Sequence, residues 1–123
     1  MNLLLDTHVL LWWSEERRMS PEAFAAIADP DNVVYVSAAS IWEISIKRTR
    51  GKLRVDDAIF EVSADDFEPL PITHADARLA GSLPDHHRDP FDRMLVAQAL
   101  AHDLVLVTRD PKIQLYEAEI LPA

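Results

Sequence analysis

The sequence predicts an α/β domain, with one layer of mostly parallel sheet, four to five strands wide, flanked by helices. Two observations carry this expectation. Short leucine-rich or β-branched runs alternate along the chain with longer segments whose apolar residues recur at helical spacing. Strands joined by helical crossovers form parallel sheets that are covered on both faces. The composition agrees, because 49% hydrophobic residues and only two glycines suit a compact, helix-rich core. With 123 residues and no repeat, low-complexity tract or linker, residues 1–123 read as a single domain.

The elements follow in order. Asn2-Leu3-Leu4-Leu5 is a buried strand that ends at Asp6, and Thr7 to Glu16 is a helix with Val9, Leu10, Trp12 and Trp13 on its apolar face. Ser20-Pro21 combines an N-cap with proline at the first helical position, starting a helix that runs to about Ala28. Asp29-Pro30-Asp31-Asn32 breaks the chain before a strand at Val33 to Val36. Ser37 or Ser40 caps the next helix, which stops at Gly51. Val55, Ala58, Ile59 and Val62 predict a helix over roughly 55–66, and Glu68 to Ile72 reads as a strand weakened by Pro69 and Pro71. Thr73 caps a short helix, with Asp76 three residues on. Leu83 to Arg88 is a polar loop, after which Asp89-Pro90 opens a helix through Leu100. Leu104 to Thr108 is the clearest strand; Arg109-Asp110-Pro111 ends it, a short turn or helix follows, and Glu119 to Leu121 forms an edge strand.

Composition also excludes some functions. Without cysteine there is no disulfide, zinc–thiolate site or cysteine nucleophile. With glycine only at positions 51 and 81, phosphate-binding loops and dinucleotide sites are excluded. The longest apolar run, Val9 to Trp13, is too short to span a bilayer, so a soluble, cytoplasmic protein is expected. A formal charge of −9 argues against broad sequence-independent binding to nucleic acid. It permits a metal site built of clustered carboxylates and a basic protein partner. Lys47, Arg48, Arg50, Lys52 and Arg54 form the main basic cluster, which as a helix end would be solvated.

Four acids carry the functional argument. Asp92 lies on the same helical face as Leu95, Val96 and Ala99, the stripe that should pack inward. An acid there is costly unless compensated. Either its carboxylate reaches back to free backbone N–H groups at the helix start, or a metal ion sits over that start. Asp6 ends the first strand, Asp110 follows the late strand, and Glu43 lies near the start of the helix after the second strand. Open parallel sheets bind ligands beyond the C-terminal ends of their strands, so neighbouring strands would bring all four to one edge. Each acid also has a local explanation. Asp6 could cap a helix, Glu43 could complete a Ser40-x-x-Glu43 capping box or pair with Lys47, and Asp110-Pro111 could open a turn. Local explanations do not account for four converging acids, whereas Mg²⁺ or Mn²⁺, which prefers oxygen ligands, does. Without metal their repulsion should raise at least one carboxyl pKa.

The histidines add less. His86 and His87, adjacent in a polar loop, are expected to be mostly solvent-exposed, though with Asp89 they could ligate a metal. His8 could line the site, and His74 and His102 read as helix-surface residues.

Leu5-Asp6-Thr7, Ser40-x-Trp42-Glu43-Ile44, Asp89-Pro90-Phe91-Asp92-Arg93-Met94-Leu95 and Thr108-x-Asp110 occur in an order and spacing that resembles the PIN-domain family. The resemblance covers nearly the whole chain and is to VapC-type ribonuclease toxins of type II toxin–antitoxin pairs in particular. It implies that Asp6, Glu43, Asp92 and Asp110 hold one or two Mg²⁺ or Mn²⁺ ions, with Thr108 and Thr7 as polar support. It further implies RNA cleavage, a homodimer, and inhibition by a cognate antitoxin that binds DNA. Many relatives carry a small residue where this chain has Arg93, a cation that would either contact substrate phosphate or point to solvent.

Two alternatives stand beside a metal-dependent endoribonuclease. A haloacid-dehalogenase-type phosphatase also has an aspartate after its first strand, but needs a second acid two residues on, where this chain has His8. A PIN-like binding module without catalysis would have no need to retain all four acids.

Overall fold

A computed structural model describes residues 1–15 and 18–123, with the side chains of 62–65 left aside. The elements are β1 (Asn2–Leu5), α1 (Thr7–Ser14), α2 (Pro21–Ala28), β2 (Val33–Ser37), α3 (Ala38–Thr49), α4 (Ala58–Asp65), β3 (Glu68–Leu70), α5 (His74–Ser82), α6 (Pro90–Ala101), β4 (Val105–Thr108) and β5 (Ile120–Pro122). A single 3₁₀ turn at Ile113–Leu115 lies between β4 and β5.

The five strands form one sheet in the order β3-β2-β1-β4-β5, and every neighbouring pair is parallel. β1 occupies the centre, where Leu3 is in register with Val34 on one side and Val105 on the other. Successive strand side chains point to opposite faces, which explains why the three leucines of β1 serve two cores. Leu3 and Leu5 join Val9, Leu10, Ile27, Ile44 and Ile59 on one face, while Leu4 joins Leu95, Val96, Leu106 and Ile113 on the other. The expected layer of sheet between two layers of helix is therefore observed, with a fully parallel sheet.

Most boundaries agree with the sequence. The predicted end of α1 at Glu16 lies outside the described residues, and so does the side chain of Val62 in the predicted 55–66 helix. That helix begins only at Ala58, because the Asp56 carboxylate accepts the Ala58 N–H at 3.2 Å and the preceding residues form a loop. Val55 still packs against the core from that loop. β3 is shorter than predicted, and Pro69 is tolerated because β3 is an edge strand paired only with β2. Ser37, not Ser40, caps α3, its hydroxyl accepting the Ala39 N–H at 3.0 Å. α3 ends before Gly51, whose φ of +70° favours glycine. Among the described residues, no helix is long and apolar enough to cross a membrane.

Candidate active site

The central pair β1–β4 brings Asp6 and the Thr108–Asp110 turn together at the C-terminal edge of the sheet. Asp6 caps α1, as one sequence reading allowed, with Oδ1 accepting the His8 N–H at 2.9 Å. Its Oδ2 accepts the Thr108 hydroxyl at 2.6 Å. The Thr108 Oγ1 also accepts the Asp110 N–H at 3.1 Å, so one threonine orients both acids. Asp110 opens a turn in which Oδ1 accepts the Lys112 N–H at 2.8 Å, while Oδ2 lies 2.9 Å from His87 Nε2.

From the other side, Thr7 Oγ1 donates to Ser40 Oγ at 2.9 Å, tying the first turn of α1 to α3. Ser40 lies inside α3 and is not its N-cap, so it opens no capping box with Glu43. Glu43 is only 3% exposed; Oε2 accepts the Lys47 ammonium at 2.8 Å, and Oε1 is buried with no hydrogen-bond partner among the described residues. Arg48, in the basic cluster, does not simply face solvent. It pairs with Asp57 and lies over the Phe60 ring.

Asp92 is buried at the third position of α6. Its carboxylate does not cap the helix, a role filled by Asp89, whose Oδ1 accepts the N–H groups of Phe91 and Asp92 at 2.8 and 3.3 Å. Burial pushes the Asp92 carboxyl up to about 7, reinforced by the negative charges of Asp89, Asp6 and Glu43 and opposed by His87. The same acid cluster acts on His8, whose pKa is raised chiefly by its hydrogen bond to Asp6. For Asp110, burial acts upward, but the hydrogen bonds from His87 and the Lys112 N–H outweigh it and the net shift is down.

The sequence understated His87. It was expected to be exposed, yet its side chain is 11% exposed, with Nε2 3.1 Å from Asp92 Oδ2 as well as 2.9 Å from Asp110 Oδ2. Ligand atoms of His87, Asp92 and Asp110 all lie within 4.8 Å of one another, a spacing that could hold a metal ion. The available signal was its position two residues before an Asp-Pro cap, where the ring meets the cap N–H. His86 stacks edge-on against Tyr116 instead of joining the cluster.

Arg93 departs from both expectations. It donates to the carbonyls of Ala80, Leu83, Pro84 and His87 at 2.9–3.2 Å. Tyr116 completes this pin, its hydroxyl donating to Pro84 O at 2.7 Å and accepting the His87 N–H at 3.0 Å. Leu83 to Arg88 is thus a loop fastened to α6. His102 is exposed at the end of α6, as expected, with Nε2 2.9 Å from the buried Asp76. His74 is exposed, as expected.

An open cleft of about 470 Å³ leads to the acids, lined by Asp6, His8, Trp12, His87, Asp110 and Lys112 among others. Arg109 also lines it, but its guanidinium lies 4.3 Å from the Trp12 ring centre and donates to Ala123 O at 2.8 Å.

An all-parallel sheet with acids gathered at its C-terminal edge defines a class that family comparison makes specific. The PIN domain family matches residues 3–119, and the chain belongs to that family. Among its relatives, Ribonuclease VapC22 of Mycobacterium tuberculosis (strain ATCC 25618 / H37Rv) is 32% identical over 117 residues, covering 91% of this chain and 89% of that protein. Two solved structures share the fold. VapBC2 from Rickettsia felis, bound to a DNA fragment from its promoter, has a TM-score of 0.76 at 14% identity, covering 99% of this chain and 98% of that one. A toxin–antitoxin complex from Klebsiella pneumoniae has a TM-score of 0.70 at 21% identity, with 97% and 95% covered.

Proposed function

We propose that this protein is a metal-dependent endoribonuclease, the VapC-type toxin of a toxin–antitoxin pair. The likeness to Ribonuclease VapC22 supports the ribonuclease reading, and the buried Glu43 Oε1, without a partner among the described residues, together with the Asp92 carboxyl raised to about 7, supports a cation. Hard oxygen donors suit Mg²⁺ or Mn²⁺. Asp6, Asp92 and Asp110 are the ligands in this reading, direct or through water, and Glu43 is either a ligand or the group that orients the attacking water. Thr108 donates to the Asp6 carboxylate and accepts the Asp110 backbone N–H, and Thr7 supports the site through Ser40. When bound, the ion activates water and stabilises the charge developing on the leaving oxygen of an RNA phosphodiester.

The test is cleavage of a generic RNA with and without divalent metal. Activity should vanish in excess EDTA and fall by roughly three orders of magnitude in Asp6→Asn, which keeps the shape but removes the charge. Undiminished cleavage in EDTA would refute the metal mechanism.

The partner in this reading is an antitoxin. With a charge of −9 the protein offers a target for an arginine-bearing segment, because arginine grips carboxylates in bidentate fashion. A homodimer is also proposed. Trp42 is 62% exposed and lines an apolar groove of about 500 Å³ with Ile41, Pro69 and Leu70. Sedimentation at tens of micromolar should find a dimer, and a monomer alone would refute it.

A further inference from the structure

The imidazole of His87 faces two acids with one nitrogen and a backbone amide with the other. The Asp89 N–H lies 3.1 Å from His87 Nδ1. An amide N–H can only donate, so Nδ1 accepts and, in the neutral ring, the proton sits on Nε2. That Nε2–H donates to Asp110 Oδ2 at 2.9 Å, and Asp92 Oδ2 lies 3.1 Å from the same nitrogen. Direct coordination of a cation by Nε2 would move the proton to Nδ1 and set it against the Asp89 N–H, losing a hydrogen bond at a largely buried position.

We infer that His87 is a positioning residue of the metal site, its Nε2 bonded to Asp110 and in contact with Asp92, setting their spacing without itself binding the cation. A carboxylate oxygen has two lone pairs, so Asp110 Oδ2 can accept from His87 and still face a cation. The imidazole is itself held in place. Arg93 and Tyr116 bind the backbone of Leu83 to His87, and the N-cap of α6 supplies the amide that fixes the tautomer. Such a rigid donor holds the two acids close before the ion arrives and lowers the cost of gathering them. The first sphere then consists of oxygen alone, which keeps the preference for Mg²⁺ and Mn²⁺ over softer metals.

This inference rests on the proposed metal site, so the experiment separates the two. Mn²⁺ binding to the full chain is titrated by the electron paramagnetic resonance signal of free Mn²⁺, for wild type, Asp6→Asn, His87→Ala and His87→Gln. His87→Ala should weaken binding by roughly 10–100-fold, and His87→Gln, which keeps an N–H donor near the position of Nε2, should recover most of it. Echo modulation of the bound Mn²⁺ in wild type should show no directly coordinated nitrogen. Unchanged affinity in a folded His87→Ala overturns the inference while leaving the metal site intact. A coordinated nitrogen overturns it too, and makes His87 a ligand. Wild type that binds no Mn²⁺, or binds no more tightly than Asp6→Asn, overturns both readings. The echo measurement uses wild type only and decides even if the alanine variant fails to fold.

Discussion

Two buried aspartates occupy the same helical position and have opposite fates. Asp76 and Asp92 are each the third residue of a helix, behind the N-caps Thr73 and Asp89. In α5 the Asp76 carboxylate reaches back to the Thr73 N–H at 3.1 Å, closing the capping box that the sequence predicts. It also accepts from Gln98 Nε2 at 3.3 Å and meets His102 Nε2 at 2.9 Å. Burial raises its pKa, but these donors outweigh it and the net shift is down. In α6 the corresponding N–H is taken by His87 Nδ1, which leaves the Asp92 carboxylate to face the other acids. Its pKa rises to about 7. An acid at this position therefore caps or serves a site according to who claims the cap N–H.

The comparison can be broken most severely at its stable end. Asp76→Ala strands the donors of Thr73, Gln98 and His102 and should destabilise the protein by about 2–4 kcal/mol in denaturant unfolding. Affinity for Mn²⁺ should stay unchanged, because this acid lies outside the cluster.

A smaller effect, of opposite sign, is expected at Asp92. Unfolded aspartate titrates near about 3.9, well below the folded value of about 7. The metal-free fold thus binds this proton more tightly than the unfolded chain does. That contribution is full below about pH 4 and is lost as the pH rises through about 7. Asp92→Asn should raise the melting temperature of metal-free protein by roughly 5 °C at pH 8, with little change at about pH 4. If Asp92 were instead a helix cap, the variant would be neutral or less stable at both. The smallest effect belongs to Thr73→Ala, which removes a hydroxyl cap and should cost about 1 kcal/mol.

What the sequence revealed was local. Ser20-Pro21, Thr73 with Asp76, and Asp89-Pro90 mark helix starts within a few residues, and Leu3 to Leu5 and Leu104 to Thr108 are apolar enough to read as strands. Asp6 and Asp110 could be paired because strand ends in an open parallel sheet share an edge. What escaped depends on partners far away in sequence or on backbone atoms that no residue pattern advertises. Arg93 was ambiguous because its partners are carbonyls up to 13 residues away. His87 looked like a surface residue because one of the two acids it faces, Asp110, lies 23 residues off, and the pairing of the exposed His102 with Asp76 spans 26. Ser37 and Ser40 could not be told apart as caps until Thr7 was found on Ser40.

The central position of β1 has a consequence in time. Its neighbour β4 lies about a hundred residues downstream, and the bond from Thr108 to Asp6 spans 102 positions. During synthesis Asp6 is made well before Thr108 and Asp110 and must wait for them before its surroundings are complete. Contacts this distant in sequence form late because the intervening loop must first be closed. Residues 1–104 of a growing chain can pair β1 with β2, but they lack β4 and the late acid. A nascent chain therefore carries no assembled acid cluster until Asp110 has been made.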